Sequence, residues 1–210
     1  MDRLASASDQ PLPLSQRLGQ IIGEMGPGRL SFTELAAQLH ARAWGGLLFI
    51  FAAINVLPLP PGTSWIFATP LVLVSAQLAF GRASPWFPKW IDRRGVTKEQ
   101  LRRLSEKVEW IELRVERILK PRLAALTGPT ATRLIGAACL LLGIAAAIPI
   151  PLFHMAPAAA AVLFGLALIY RDGVLVIVAI LASLLSIAVN ALIIGSGVVA
   201  LSYAADWLRL

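Results

Sequence analysis

Cysteine is nearly missing from this chain: Cys139 is the only one, and it sits inside an apolar run. A lone thiol excludes an internal disulfide and any cysteine-built metal cluster, and leaves the role of a small buried hydrophobe. Histidine is almost as scarce, with His40 and His154 alone, so no metal-spaced histidine cluster can be drawn. His154 stands beside a helix break with no acid near it in sequence, and a satisfied structural histidine outweighs a catalytic one. Acids are missing where they would matter most. No Asp or Glu falls in the three long apolar runs, Trp44 to Phe80, Leu134 to Tyr170 and Val174 to Ile194, which argues against a proton pump built on a carboxylate relay. A Ser, His and acid arrangement and a phosphate-cradling glycine loop are absent as well. The expectation is a non-enzymatic protein with no catalytic residues, no cofactor and no metal site. The amino-terminal stretch, Met1 to Gln16, lacks an apolar core followed by a small-residue cleavage site and does not read as a secretory signal.

Apolar residues are what the chain has in excess. They make up 57% of it against 15% charged, with a mean hydropathy of +0.72; ordinary soluble domains run at about 45 to 50% and about 25%. This is a membrane composition. Each of the first two runs is long enough for a helical hairpin rather than one span of about 20 residues. Val174 to Ile194 is a span by itself.

Proline punctuates both hairpin-length runs. Leu57-Pro58-Leu59-Pro60-Pro61-Gly62 breaks the first and Ile148-Pro149-Ile150-Pro151 the second, because proline removes a backbone donor and pushes the preceding residue out of the α region. Arg42, Gly45, Pro58 and Pro60 are matched by Arg133, Gly136, Pro149 and Pro151, each pair 91 residues apart. That constant register reads as an internal repeat of the kind found in transporters. From Trp44 to Leu57 a helix reaches only about 21 Å, short of a hydrocarbon core of about 30 Å. Either the break lies inside the membrane as a re-entrant hairpin, or the helix extends back through Ala43 and a snorkelling Arg42 to complete a crossing; the shortness favours the first. The return limb, Ser64 to Phe80, carries Pro70 and a Gln77 that should face another helix.

Charge sets orientation. Of 19 Lys and Arg, 13 lie between Arg82 and Arg133, and basic loops near spans mark the cytoplasmic side. The central segment and the amino terminus are therefore expected inside. Nucleic acid is excluded as a partner, because acids are interleaved with these basic residues and no recognition motif is present. Around the runs, Leu14, Leu18, Ile21, Ile22 and Met25 predict an amphipathic helix ending at Gly26-Pro27-Gly28. Ser31-Phe32-Thr33-Glu34 reads as a capping box opening a second helix toward His40 and Arg42. Pro85-Trp86-Phe87-Pro88-Lys89-Trp90 has the composition of an interfacial anchor. Leu101, Leu104, Val108, Ile111, Val115 and Ile118 form a heptad stripe, for which the bilayer face, the hairpins and a twin in a homo-oligomer are the ranked partners. Ser186 and Asn190 share helical spacing in the last run, which Gly195-Ser196-Gly197 is expected to end or bend.

The strings Asn55-Val56-Leu57-Pro58-Leu59-Pro60-Pro61-Gly62-Thr63-Ser64, Pro70-Leu71, Gln77-Leu78, Gly81-Arg82, Pro85-Trp86-Phe87-Pro88, Pro121-Arg122, Ile148-Pro149-Ile150-Pro151 and Arg171-Asp172-Gly173 together resemble the ExoD family of exopolysaccharide synthesis proteins. The likeness covers roughly Leu14 to Ile194. It departs at Phe153-His154, where the family pattern usually has Gly-Asn. The resemblance implies a bacterial inner-membrane protein associated with making or exporting exopolysaccharide, without an assigned reaction.

The expected fold is all-α: a polytopic helical membrane protein with two repeated Pro-x-Pro-broken hairpins, re-entrant or crossing, plus amphipathic interfacial helices. It is read as one membrane domain over residues 1–210. Amphipathic helices span 14–42, the first broken hairpin 44–80 and the basic cytoplasmic segment 82–133, followed by the second broken hairpin, 134–170, and the C-terminal transmembrane segment, 174–204. The expected localisation is the inner membrane, multi-pass, with the amino terminus cytoplasmic. The candidate polar site gathers at the breaks: Asn55, Pro58, Pro60, Gly62, Thr63, Ser64, Pro149, Pro151 and His154. Membrane lipids are the expected partners, together with a lipid-linked saccharide or lipid phosphate handled in a transport or scramblase-like manner. The alternative is a non-catalytic scaffold for the polysaccharide machinery.

Overall fold

Nearly all the regular structure is helical in a computed structural model of the chain, which describes residues 14–26, 28–39, 41–58, 63–115, 123–148, 150 and 153–208. The elements in order are α1 (Leu14–Glu24), β1 (Arg29–Leu30), α2 (Phe32–Leu39), α3 (Ala41–Val56), α4 (Ser64–Ala79), α5 (Lys89–Asp92), β2 (Val96–Thr97) and α6 (Lys98–Val115). A 3-10 turn (Ala124–Thr127), α7 (Pro129–Ala147), α8 (Met155–Tyr170) and α9 (Gly173–Leu208) complete the chain. It divides into two compact units, Met1–Ala43 with Ala83–Lys120, and Trp44–Arg82 with Pro121–Leu210.

The first unit is amphipathic throughout. Leu18 and Ile21 of α1, Leu35 of α2 and Leu101 of α6 form its small core. Helix α2 opens in the capping box read from sequence: Ser31 N donates to Glu34 Oε2 at 3.0 Å, and Glu34 N donates to Ser31 Oγ at 3.1 Å. A second box opens α6, with Thr97 N on Gln100 Oε1 at 3.0 Å and Gln100 N on Thr97 Oγ1 at 3.3 Å. Between them β1 and β2 pair antiparallel, Arg29 with Thr97 and Leu30 with Val96. The heptad stripe of α6 finds a partner that was not among the three expected faces. Leu101 packs against α1, and Ser105 Oγ donates to Ser15 O at 3.2 Å, because α1 presents its own apolar stripe at matching helical spacing. The side chains of Val108, Ile111, Val115 and Ile118 lie outside the described residues. Of the aromatic cluster, Phe87 stacks at 5.8 Å between ring centroids on Phe32, while Trp86 is exposed.

The second unit is apolar inside and out. Its core runs from Trp44 and Leu48 of α3 through Leu71 of α4 and Cys139 of α7 to Phe164 of α8 and Val176 of α9. Ile50, Leu73, Leu134, Leu141, Leu181 and Leu192 are exposed on its outer surface, a belt that only lipid or a partner would cover. Among the described residues two helices are long and apolar enough to cross a membrane alone, Pro129–Ala147 and Gly173–Ser196, whereas Ser64–Ala79 and Met155–Tyr170 are apolar but shorter.

Close backbone contact sets the arrangement of four of these helices. A Cβ on Gly45 would fall 2.7 Å from the Gly165 carbonyl oxygen and 2.8 Å from Ile169 N, and one on Gly136 would fall 2.5 Å from Ala79 N. Residues without side chains let helix backbones meet in this way, the usual basis of helix association without a hydrophobic driving force. Gly45 near the start of α3 meets the end of α8, and Gly136 near the start of α7 meets the end of α4, so both pairs are antiparallel. Asn55 at the end of α3 bonds to Phe67 at the start of α4. Helices α3 and α7 therefore run one way and α4 and α8 the other, and the helix ends that flank both proline breaks lie at the same end of the unit. The offsets are uniform: α4 and α8 begin at 64 and 155 and end at 79 and 170, and α3 and α7 end at 56 and 147, each pair 91 apart.

Helix α9 differs from its expected course. It runs unbroken through Gly195-Ser196-Gly197 to Leu208, 36 residues, rather than ending there. In an apolar run the backbone groups have no other donors, so the helix keeps its own bonds, and nothing lies within 4 Å of where a Gly195 side chain would be. At the opposite end, Asp172 starts the helix, accepting from Val174 N and Leu175 N at 2.9 and 3.3 Å.

Candidate functional site at the helix breaks

A carbonyl four residues before a proline has no amide to accept from, and buried in apolar surroundings it needs another donor. Among the described residues of the second unit, buried side chains meet carbonyls beside prolines at three places. Leu57 precedes Pro61, and its carbonyl is met by His154 Nε2 at 3.2 Å. Phe153 precedes Pro157, and Asn190 Nδ2 reaches its carbonyl in a long contact of 3.5 Å. Within α4, Pro70 removes the donor for Ile66, and the adjoining Phe67 carbonyl accepts from Asn55 Nδ2 at 2.9 Å. The same amide gives its other hydrogen to Phe51 O at 2.8 Å. Asn55, His154 and Asn190 are all buried. His154 and Asn190 each join elements distant in sequence at a carbonyl four residues before a proline, and Asn55 joins α3 to α4 through the Phe67 carbonyl.

These three side chains do not end fully satisfied. Asn55 Oδ1 and His154 Nδ1 are buried and have no hydrogen-bond partner, and neither has the hydroxyl of Ser186, one turn before Asn190 on α9. Ser75 Oγ, in mid α4, is the fourth such atom. A buried polar atom without a partner costs about 1–3 kcal/mol, and such groups are few in native structures. Three of the four stand on side chains at, or within one helical turn of, the break end.

Among the residues expected at the site, the structure brings His154 onto the end of α3 and Asn55 onto the start of α4. Ser64 is buried in the first turn of α4, and Thr63 is its N-cap without a side-chain capping bond; His154 holds the same position for α8. Pro58 is exposed just past α3. Pro60, Gly62, Pro149 and Pro151 lie outside the described residues, as does His40. The sequence reading left Ser186 and Asn190 out of the site although their spacing puts them on one face; with Ser183 they form the polar stripe of α9, all three buried. Ser183 Oγ bonds back to Ala179 O at 2.7 Å. Among the described residues no group of three or more His, Cys, Asp or Glu is placed to hold a metal.

Residues 14–192 match the family model described as Exopolysaccharide synthesis, ExoD. The chain belongs to the ExoD family. This ExoD-family chain is 28% identical to Protein ExoD of Rhizobium meliloti over 173 residues, which cover 80% of it and 72% of that protein. It is 26% identical to an uncharacterised protein of Synechocystis sp. over 188 residues, 86% and 88% of the two chains. No solved structure matches it. The family's description names a process, exopolysaccharide synthesis, and no reaction. With its apolar helices, the ExoD-family chain is a helical membrane protein, and Asn55, His154, Ser186 and Asn190 are buried at or within a turn of its break end.

Proposed function

We propose that this protein is a multi-pass inner-membrane protein that handles a lipid-linked saccharide, or its lipid phosphate carrier, during exopolysaccharide synthesis or export. It does so without covalent chemistry, in a transport or scramblase-like manner. The observation that carries this reading is the set of unpartnered atoms on Asn55, His154 and Ser186 at or near one end of a largely apolar unit. Polar groups inside a membrane protein are costly and mark substrate paths by default. The 91-residue offset of helix ends and glycine contacts supports a duplicated hairpin, with both copies running the same way. The basic segment orients the amino terminus and residues 82–133 to the cytoplasm. From Gly173 to Asn190 helix α9 rises about 26 Å, so the break end faces the outer part of a core about 30 Å thick, where a saccharide head group would be met.

The test uses Ser186→Ala. Its hydroxyl has no hydrogen-bond partner, so membrane level and thermal stability should stay near wild type while exopolysaccharide output falls. Normal output in this variant, or loss of output only together with the folded protein, would remove the site.

A second reading, a scaffold for the polysaccharide machinery, is favoured by the sealing of these atoms from solvent and by the self-contained first unit. The exposed face of α6 there carries i,i+4 pairs, Arg102 with Glu106 and Arg103 with Glu99, both at 3.1 Å. On this reading charge reversals at Arg102 and Arg103 lower output, whereas Ser186→Ala does not.

A further inference from the structure

We propose that the break-end site recognises its ligand through hydroxyl groups that donate to two fixed acceptors, Asn55 Oδ1 and His154 Nδ1. This rests on the reading that the break end handles substrate, and it selects the saccharide over the phosphate as the part recognised there.

The argument is one of donors and acceptors. Both hydrogens of the Asn55 amide are committed to carbonyls, Phe51 O at 2.8 Å and Phe67 O at 2.9 Å. Carbonyls only accept, so the amide orientation is fixed and the atom left over is its oxygen, an acceptor. His154 Nε2 lies 3.2 Å from the Leu57 carbonyl, and the same logic puts the hydrogen on Nε2. The Nδ1 of the neutral ring is then a bare lone pair. Both atoms are buried and unpartnered, on residues 0% and 2% exposed. No Asp or Glu lies on α3, α4, α7 or α8. From Trp44 onward α3 carries no ionisable group, and neither do α4 and α8 apart from Tyr170 at the far end of α8; the first charge of α7, Arg133, and Asp172 before α9 lie at the opposite end of the unit, and Cys139 lies within α7.

A fully ionised phosphate is only an acceptor, so against two lone pairs it finds no hydrogen bond. A saccharide hydroxyl donates to either atom, and the hydroxyl of Ser186, able to give or accept, completes a set suited to a polyol. A site built to bond a hydroxyl rejects analogues lacking one, because its own buried groups are then left unpaired. The two atoms are sealed in this conformation, so a ligand reaches them when the ends of α3 and α8 part at the His154 and Leu57 contact.

The sequence contains two histidines and two asparagines, which makes the site readable atom by atom. The experiment takes the full chain with His40→Gln, labelled with [15N]histidine and [13Cγ]asparagine, in phosphatidylcholine nanodiscs; Asn190→Gln assigns the Asn55 signal. Octyl β-glucoside and octyl phosphate are the probes. The free protein should show the Nε2–H tautomer. Octyl glucoside should shift both His154 Nδ1 and Asn55 Cγ saturably, at a half-saturation concentration at least about tenfold below that of octyl phosphate. A hydrogen on Nδ1, shifts with octyl phosphate at equal or lower concentration, or no shift with either probe would each overturn the proposal. If Ser186→Ala lowers output while glucoside leaves both signals unmoved, the hydroxyl inference fails alone. Normal output in that variant removes the functional reading whatever the spectra give.

Discussion

The imidazole of His154 lies 3.2 Å from the carbonyl oxygen of Leu57, 97 residues earlier in the chain and just past the end of α3. Replacing His154 by leucine removes this bond, a net loss of about 0.5–1.5 kcal/mol, and should lower the melting temperature by roughly 1–6 °C for a chain of this size. His154→Gln, which keeps an N–H donor, should recover part of the loss. Thermal unfolding in detergent of the three proteins measures it, and equal melting temperatures for wild type and His154→Leu would refute the bond's structural role.

The glycine contacts separate positions that look alike in sequence. Gly45 and Gly46 are neighbours on α3, yet a methyl on Gly45 meets the backbone of α8 within 3 Å, and one on Gly46 meets nothing within 4 Å. Gly45→Ala should destabilise by about 1–3 kcal/mol through overpacking. Gly46→Ala should leave stability unchanged or raise it by up to about 1 kcal/mol from helix propensity. Gly136→Ala, set against Ala79 N, should behave like Gly45→Ala in the same unfolding assay.

Asn190 and Pro157 should be energetically coupled through the Phe153 carbonyl. Asn190→Leu removes its donor; Pro157→Ala offers a backbone N–H in its place. In a double-mutant cycle the loss caused by Asn190→Leu should therefore shrink in the Pro157→Ala background, with a coupling energy of about 0.5–3 kcal/mol. Additive losses would mean that the 3.5 Å contact carries no energy.

Orientation can be read with single cysteines, since Cys139 is buried and should not react. Cysteines replacing Glu99 and Arg171, both exposed, should be shielded from a membrane-impermeant reagent in intact cells, and one replacing the exposed Tyr203 should label. Outside labelling of Glu99→Cys or Arg171→Cys would reverse the proposed topology.

Local signals were the legible part of this chain. Ser31 and Glu34 announce a helix start because their bonds close within four residues, and Pro58, standing in a Pro-x-Pro-Pro run, marks the end of α3 at Val56. The partners of the freed carbonyls were not legible, because His154 and Asn190 act across 97 and 37 residues and nothing local in sequence aims a side chain that far. Thr97-Lys98-Glu99-Gln100 carries a capping box as plainly as the first, hidden by the charged run around it. Gly195 misled in the other direction: a glycine ends a helix where water or a cap can take over the backbone bonds, and an apolar run offers neither.

The reach of His154 back to Leu57 also orders events during synthesis. A nascent chain presents α3 and α4 first, with the Leu57 carbonyl bare and the Gly45 face lacking the helix that nests against it, and it stays so until α8 has been made. The first hairpin is therefore an unfinished object in the bilayer, with an exposed acceptor and an open groove, and must wait in water or against the insertion machinery for its complement. A ribosome stalled before residue 154 would leave a product that no folding of its own can complete.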